Sequence, residues 1–266
     1  MSFEEEAIAA VSPFVEGLDG RFSVAFCLPG SGVVAGIGQD EEHHAASMIK
    51  LPILSCLFKE ALAGSLSLSD RVSMSRGDVV EGGVLCELHE GVELTLLDLA
   101  RLMIVVSDNT ASNMLIDVLG FDAVNRHISE IGMSGTALVK KLMIPAADPS
   151  AFNRTTAADV CLFLRRLAEG RLVSPESDEA MIDIMSRQMF VEKIPRYLPE
   201  GVFVANKTGE VSGVRHDGAI VRAFGSQFCM AALTSESGDV NASDDAISHA
   251  AAALFGVFER RCKRIG

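Results

Sequence analysis

The chain has 266 residues and a net charge of −13 at pH 7, with 23 lysines and arginines against 36 aspartates and glutamates. A chain of this length can bury one full hydrophobic core or two closely packed lobes, which is the size of a single enzyme domain. Because an acidic surface repels phosphate backbones and anionic lipids, nucleic acid and membranes are not expected partners.

The N-terminal stretch predicts a β-hairpin. The opening segment MSFEEEAIAA is acidic and lacks the apolar core of an export signal, so we expect a cytoplasmic protein. After it, RFSVAFCLPGSGVVAGIG alternates small and apolar residues on both sides of a Pro-Gly-Ser-Gly sequence at 29–32. This pattern favours two antiparallel strands joined by a tight turn.

The middle of the chain predicts helices. From Ser47 to about Arg187 the apolar residues recur with a helical period, and the first helix is expected over SMIKLPILSCLFKEALAG. Further helix starts are marked by Thr95, Asp108, Thr155 and Pro175.

Strand patterns return near the C-terminus and set the fold class. GVFVANKTG, GVRHDGAIVRAFG and QFCMAALTS are separated by short turns, and SDDAISHAAAALFGVFERRCK is an amphipathic helix. Two early and three late strands can share one antiparallel sheet only if the helical block is an insertion. The prediction is therefore an α+β fold with a five-stranded antiparallel sheet. A single domain, 1–266, would contain an α/β lobe at 1–46 plus 196–266 and an inserted all-helical lobe at 47–195.

Cysteines and histidines indicate no metal site. The six cysteines lie far apart without a CxxC pair, which favours buried thiols in a reducing compartment over a disulfide framework. His43, His44 and His89 lack the spacing of metal ligands and are expected at the surface. No cofactor is implied, and no oligomeric state is indicated.

Ser47 and Lys50 are polar residues in the otherwise apolar stretch AASMIKLP. Three positions apart on a helix, they would share one face and could touch. An ammonium in apolar surroundings has a lowered pKa, so Lys50 could act as a base on the Ser47 hydroxyl. The alternative is that Ser47 caps a helix and Lys50 extends to water, because the tetrad SxxK is common by chance.

Two further motifs favour the catalytic interpretation. Ser107-Asp108-Asn109 follows Ser47 by 60 residues, and Lys207-Thr208-Gly209 follows Ser107 by 100 residues at the end of a strand pattern. With SxxK, SDN and KTG in this order, the chain resembles the class A serine β-lactamases and the wider family of penicillin-recognising serine hydrolases. The resemblance extends from about Arg21 to the C-terminal helix. It implies a three-layer fold of helices, antiparallel sheet and helices.

The resemblance also implies catalytic roles. Ser47 would be the acylated nucleophile, Lys50 its proton acceptor or electrostatic support, and Ser107 a proton relay to the leaving nitrogen. Asn109 would orient Lys50 and the substrate. Alone, Ser107 and Asn109 could equally be residues of a helix start. Asp108 is expected to bind backbone N–H groups.

The same resemblance places the substrate along the KTG strand. Lys207 would lower the pKa of Lys50 and attract an anionic substrate, Thr208 would bind the substrate carboxylate, and Gly209 would let the substrate lie against the strand. The backbone N–H groups of Ser47 and Glu210 would form the oxyanion hole. Arg215 is either a carboxylate-binding arginine or a solvent-facing strand residue.

One element of the family pattern is missing. Class A β-lactamases carry an Ω-loop glutamate that activates the deacylating water, but the corresponding segment LVKKLMIPAADPSAFNRTT contains no glutamate. The expected position falls at 141–143, and Asp148 is the only acid that could replace it. The sequence thus predicts a serine hydrolase that acts on a β-lactam or a small amide or ester with a carboxylate. A D,D-peptidase, an esterase and a sensor that is acylated once are the alternatives.

Overall fold

A five-stranded antiparallel sheet lies at the centre of the fold, and the structure, a computed structural model, describes residues 2–148 and 150–265. The strand order is β2-β1-β9-β8-β7. The strands of this sheet are β1 (Arg21–Cys27), β2 (Ala35–Ile37), β7 (Phe203–Val211), β8 (Val214–Ala223) and β9 (Ser226–Ser235). Two-stranded pairings join β3 (His43–His44) to β6 (Arg154–Thr155) and β4 (Arg71–Ser73) to β5 (Glu93–Thr95).

Helices cover both faces of the sheet. They are α1 (Phe3–Val15), α2 (Lys50–Leu62), α3 (Leu96–Val105), α4 (Asn109–Leu119), α5 (Phe121–Glu130), α6 (Ala157–Ala168), α7 (Pro175–Met185) and α8 (Val240–Ile265). The terminal helices α1 and α8 pack together on one face, and α6 packs on the other. The predicted α+β fold, with its five antiparallel strands and flanking helices, is confirmed.

The sheet separates two hydrophobic cores. Along β9, Phe228 and Met230 face the core with α1 and α8, whereas Cys229 and Ala231 face the core with the inserted helices. Successive strand residues point to opposite faces, so a strand buried on both sides is a continuous apolar run rather than an alternating one. In the described part of the chain, no helix is both long and apolar enough to cross a bilayer.

Three helix starts differ from the sequence prediction. Ser47 lies in a 3-10 helix, Ala46–Ile49, and the α-helix begins only at Lys50. The cap of α6 is Thr156, because Thr155 pairs with His43 in a short strand. The helix α1 was not predicted at all, although Ser2 and Glu5 form the reciprocal bonds of a capping box.

The predicted surface position is wrong for His43 and confirmed for His89. His43 is fully buried, with Nδ1 2.7 Å from Ser235 Oγ and Nε2 2.8 Å from Ser23 Oγ. It therefore links β3 to both β9 and β1. His44 is half-buried, and His89 is exposed. The cysteines are free thiols in the described residues, and four of them are buried, as expected.

Burial of histidines makes the fold acid-sensitive. Burial lowers the pKa of His43 to about 3 and that of His216 to about 4, while an unfolded histidine titrates near its ordinary value of 6.5. Because the unfolded chain binds these protons first, the neutral histidines support folding above pH 6.5, and this support is lost as pH falls toward 4.

We expect His43→Gln to flatten this pH dependence. The unfolded variant takes up one proton fewer than the unfolded wild type. The slope of the unfolding free energy against pH should therefore fall by about 1.4 kcal/mol per pH unit between pH 6 and 4. Urea unfolding at several pH values measures the slope, with His89→Gln as the matched control at an exposed site. Equal slopes in the wild type and both variants would contradict the buried neutral His43.

Candidate active site

Ser47 is held on a constrained turn against strand β7. The preceding residue, Ala46, has φ 45°, a conformation that is costly for a residue with a side chain, and its N–H donates to His44 Nδ1 at 2.9 Å. A Cβ at Gly209 would lie 3.2 Å from the Ser47 nitrogen. A larger residue at 209 would therefore crowd the backbone of Ser47, and glycine avoids this contact.

Lys50 is fully buried, and its ammonium has three acceptors. It donates to Ser107 O at 2.6 Å, to Asn109 Oδ1 at 2.8 Å and to Ser107 Oγ at 3.1 Å. Burial and the neighbouring charge of Lys207 hold the pKa of Lys50 well below its ordinary value. Lys50 therefore loses its proton more readily than a free lysine does, which is the direction that the sequence analysis predicted.

The Ser107 hydroxyl joins Ser47 to both lysines. Ser107 Oγ lies 3.0 Å from Ser47 Oγ, 3.0 Å from Lys207 Nζ and 3.1 Å from Lys50 Nζ. The hydrogen bonds of the structure thus connect Lys50 to Ser47 through Ser107. The sequence had predicted a direct contact between Ser47 and Lys50 on one α-helix. Ser107 has φ 54°, so this arrangement is held in a strained backbone.

Asp108 fixes the turn, as expected. One carboxylate oxygen accepts from the N–H groups of Val84 and Leu85 at 2.6 and 2.8 Å, and the other caps α4 by accepting from Ala111. Gly83 makes this wrapping possible, because a Cβ there would lie 2.3 Å from the carboxylate. Asn109 donates to Glu81 O at 2.8 Å, which holds its amide toward Lys50.

Strand β7 presents the KTG residues beside this network. Lys207 is fully buried and donates to Thr208 O at 2.7 Å. Burial lowers the pKa of Lys207 to about 7, although the carboxylate of Asp217 acts against this shift. Asp217 itself is buried, accepting from the Ile194 N–H and the Asn206 amide, and burial raises its pKa to about 6.

Glu210 and Arg215 belong to a charged cluster beyond the KTG residues. They face each other across β7 and β8. Glu210 is hydrogen-bonded to the buried Lys193, and Arg215 lies 3.5 Å from Asp244 and donates to the carbonyls of Val211 and Val214. Burial alone would raise the pKa of Glu210, but the hydrogen bond and charge of Lys193 lower it below its ordinary value. Arg215 is thus bound within the cluster and does not line the cavities at Ser47.

Ser47 lies where two cavities meet. A cavity of about 210 Å³ is lined by Ser107 and Thr208 and also by Gly82, Gly83, Val106 and Phe190. A larger cavity of about 510 Å³ extends beneath the loop 140–146. Ser47, Asn109 and Glu210 line both, so a molecule bonded to Ser47 could extend in two directions.

Comparison with known proteins identifies the family. The sequence model of the beta-lactamase enzyme family matches residues 5–258. The chain belongs to this family.

Relatives and solved structures agree with this assignment. Beta-lactamase L2 of Stenotrophomonas maltophilia is 28% identical over 67% of this chain, and the match spans 61% of that protein's length. A β-lactamase structure from Sphaerobacter thermophilus is 35% identical with a TM-score of 0.88, covering 97% of this chain and 98% of its own. A PBP-A variant with a leucine replaced by glutamate, solved as an acyl-enzyme complex with penicillin G, is 27% identical with a TM-score of 0.86, covering 96% and 97%. The fold is that of the class A β-lactamases, and the protein is by family a serine β-lactamase-like hydrolase.

The loop that carries the deacylating glutamate in class A β-lactamases has Leu142 beside the cavity. The Asn113 amide binds both the N–H and the carbonyl of Leu142, each at 2.9 Å, and so fixes this residue at the cavity wall. Asp148 does not replace the glutamate. Its carboxylate is exposed, accepts from Ser150 and is not among the residues lining either cavity.

Two positions of this β-lactamase-like site were missed from the sequence. Asn113 follows Asn109 by four residues, so the helical period puts both on one face of α4, a signal that could have been used. Lys193 gave no signal, because it is a single lysine in a segment without a motif. Only the structure shows that it is buried against Glu210.

Lys207 should set the alkaline limit of acylation. With a pKa of about 7, its cation is lost as pH rises, and with it the attraction for a substrate carboxylate. We expect the acylation rate constant for a carboxylate-bearing β-lactam to fall by up to about tenfold per pH unit above this range. In Lys207→Arg the side chain stays charged, so the decrease of the acylation rate constant should begin at a higher pH. This holds even if the variant is slower than the wild type at every pH.

The control for this profile is an ester without a carboxylate, such as p-nitrophenyl acetate, measured over the same pH range. Its rate should not show the same fall. An unchanged falling limb in Lys207→Arg would rule out Lys207 as the titrating group.

Proposed function

We propose that the protein forms an acyl-enzyme at Ser47 from a β-lactam or a small amide or ester that bears a carboxylate, and then hydrolyses it. The observation that carries the proposal is the Ser107 hydroxyl, within 3.1 Å of Ser47 Oγ and of the amines of Lys50 and Lys207. The family assignment supports it, and so does the PBP-A variant of similar fold in complex with penicillin G.

Acylation uses Lys50 as the final proton acceptor. Hydroxyls both donate and accept, so the proton of Ser47 passes to Ser107 while the proton of Ser107 passes to neutral Lys50. Ser47 Oγ attacks the carbonyl carbon and forms the new C–O bond. The proton then returns through Ser107 to the leaving nitrogen as the C–N bond breaks, which makes the amine a better leaving group.

The strand β7 supplies the remaining binding groups. The N–H groups of Ser47 and Glu210 stabilise the negative charge on the carbonyl oxygen, since the close approach at Gly209 brings the two segments together. Thr208 lines the smaller cavity and binds the substrate carboxylate, and the buried Lys207, bonded to Ser107 and to Thr208 O, supplies a positive charge behind it. Arg215, bound to Asp244 and two carbonyls, contributes less than the family resemblance implies.

Hydrolysis of the acyl-enzyme is the slow step of this proposal. Glu210 is the only carboxylate among the described residues that line the two cavities, and its bond to Lys193 makes it a weak base. Leu142 offers no group to activate water. This favours a second candidate function, a D,D-peptidase or esterase that retains β-lactams as long-lived adducts, or a sensor that is acylated once.

Intact-mass spectrometry with a chromogenic cephalosporin tests the acylation. We expect one adduct per chain and a burst of colour, followed by much slower colour release as the adduct decays. Ser47→Ala should show neither adduct nor burst. If no cephalosporin, penicillin or activated ester modifies Ser47, the proposed function is wrong.

Leu142→Glu should accelerate decay of the adduct. A carboxylate at the cavity wall could activate water, for which general-base catalysis contributes on the order of 10²-fold. The matched control is Leu142→Gln, which has the same shape and polarity without a basic oxygen. Adduct lifetimes by mass spectrometry should shorten in the glutamate variant only, and equal lifetimes in the two variants would contradict this placement of Leu142.

A further inference from the structure

Three buried cysteines meet on the face of the sheet that carries the inserted helices. Cys27 is the last residue of β1, Cys229 is its partner in β9, and Cys161 comes from α6. All three belong to the core between the sheet and the inserted helices. The Sγ atoms of Cys27 and Cys161 lie 3.6 Å apart, so small side-chain rotations bring them within bonding distance.

The surroundings of Cys27 favour its thiolate. Hydrogen bonds from Cys161 and Cys229 lower the pKa of Cys27 to about 5, although burial acts against this shift. Arg165 follows Cys161 by four residues on the same face of α6, and its charge lowers the pKa of Cys27 further. Its buried Nε and Nη1 atoms have no hydrogen-bond partner in the described part of the chain. The cluster therefore contains a cation whose N–H groups are not committed elsewhere.

The other two thiols differ from Cys27 in acidity and in access. Burial raises the pKa of Cys161 and Cys229 well above the ordinary value, so both keep their protons. Cys27 is 2% exposed, whereas both of the others are fully buried. The residues after it, Leu28 and Pro29, line a surface cavity of about 790 Å³. A small reagent that enters through this cavity therefore meets Cys27 first.

We propose that Cys27 and Cys161 are a redox-active pair that a hydroperoxide converts to a disulfide, a modification separate from the acylation of Ser47. The thiolate is the form of cysteine that attacks a peroxide. A second thiol within reach converts the first product to a disulfide before it can be oxidised further. Cys229 stays reduced and donates its hydrogen bond to Cys27 during the first step.

Two electrons pass from the two thiols to the hydroperoxide. Cys27 Sγ bonds to a peroxide oxygen, the O–O bond breaks, and the departing oxygen takes up the proton that Cys27 has lost. Cys161 Sγ then bonds to Cys27 Sγ, the S–O bond breaks, and the hydroxide leaves as water with the proton of Cys161. With hydrogen peroxide, two thiols and one peroxide give one disulfide and two waters.

The disulfide would tie β1 of the sheet to the helix α6. The two cysteines are 134 positions apart in the chain, so the bond would close a long loop. Closing a long loop restricts the unfolded chain, and the oxidised protein should therefore unfold at a temperature on the order of 10 °C higher.

The test is intact-mass spectrometry and peptide mapping without reduction, after treatment of the whole protein with limiting hydrogen peroxide. The mass should fall by about 2 Da, because two thiol hydrogens are lost. The map should contain a cross-linked pair of peptides with Cys27 and Cys161. Dithiothreitol, added after unfolding, should restore the original mass.

Cys161→Ala should abolish the cross-link, and Cys27 should then gain about 16 or 32 Da of oxygen. The matched control is Cys56→Ala, because Cys56 is also buried but burial raises its pKa to about 11. This variant should form the same cross-link as the wild type.

An unchanged mass, oxygen added only at the more exposed Cys86 and Cys262, or a cross-link between another pair would overturn the proposal. If Cys161→Ala does not fold, the map of the wild type decides alone, since it identifies the linked sulfurs directly. Acylation of Ser47 is measured separately in untreated protein, so its failure would leave this result unaffected.

Discussion

Two buried lysines share one serine hydroxyl. Burying two positive charges so close together is unfavourable, and the local structure around Ser47 compensates for it. Lys50 and Lys207 are both fully buried, and both donate to Ser107 Oγ. Two like charges out of water are unfavourable unless each finds fixed acceptors or loses its proton. The acceptors are the carbonyls of Ser107 and Thr208 and the amide of Asn109. Burial lowers the pKa of both lysines, and this is the condition that Lys50 needs to act as the base of the proposed acylation.

The second motif, Ser107-Asp108-Asn109, holds hydrogen-bond acceptors for these lysines in fixed positions. The carbonyl of Ser107 reaches Lys50 because the residue adopts a left-handed conformation, which the chain would not choose without support. Asp108 provides that support with bonds to Val84, Leu85 and Ala111. The middle residue of the motif thus fixes the backbone geometry, while Ser107 contacts Ser47 and Asn109 contacts Lys50. This explains why three adjacent polar residues serve different purposes.

The fold could be predicted from the sequence, because periodicity and turn residues determine strands and helices locally. A candidate catalytic set could be proposed because its three motifs occur in order, and the structure brings Ser47, Lys50, Ser107 and Lys207 together. Contacts between distant segments could not be predicted. His43 is buried because Ser23 and Ser235 happen to provide acceptors or donors on both sides, and no local pattern encodes that match. Likewise the exposure of Asp148 depends on how its loop closes on Ser150.

Leu142 determines the chemical character of the cavity wall beside Ser47. The side-chain amide of Asn113 bonds both the N–H and the carbonyl of Leu142, which fixes this buried residue at the wall of the cavity next to Ser47. A carboxylate at that point would need water around it, and the neighbouring Met143, Ile144 and Pro145 would then be poorly matched to a hydrated site. A leucine is compatible with those neighbours and makes one continuous apolar surface. An apolar residue at 142 therefore leaves the cavity wall without a carboxylate that could hold and activate a water, which is the reason that hydrolysis is the slow step of the proposed function.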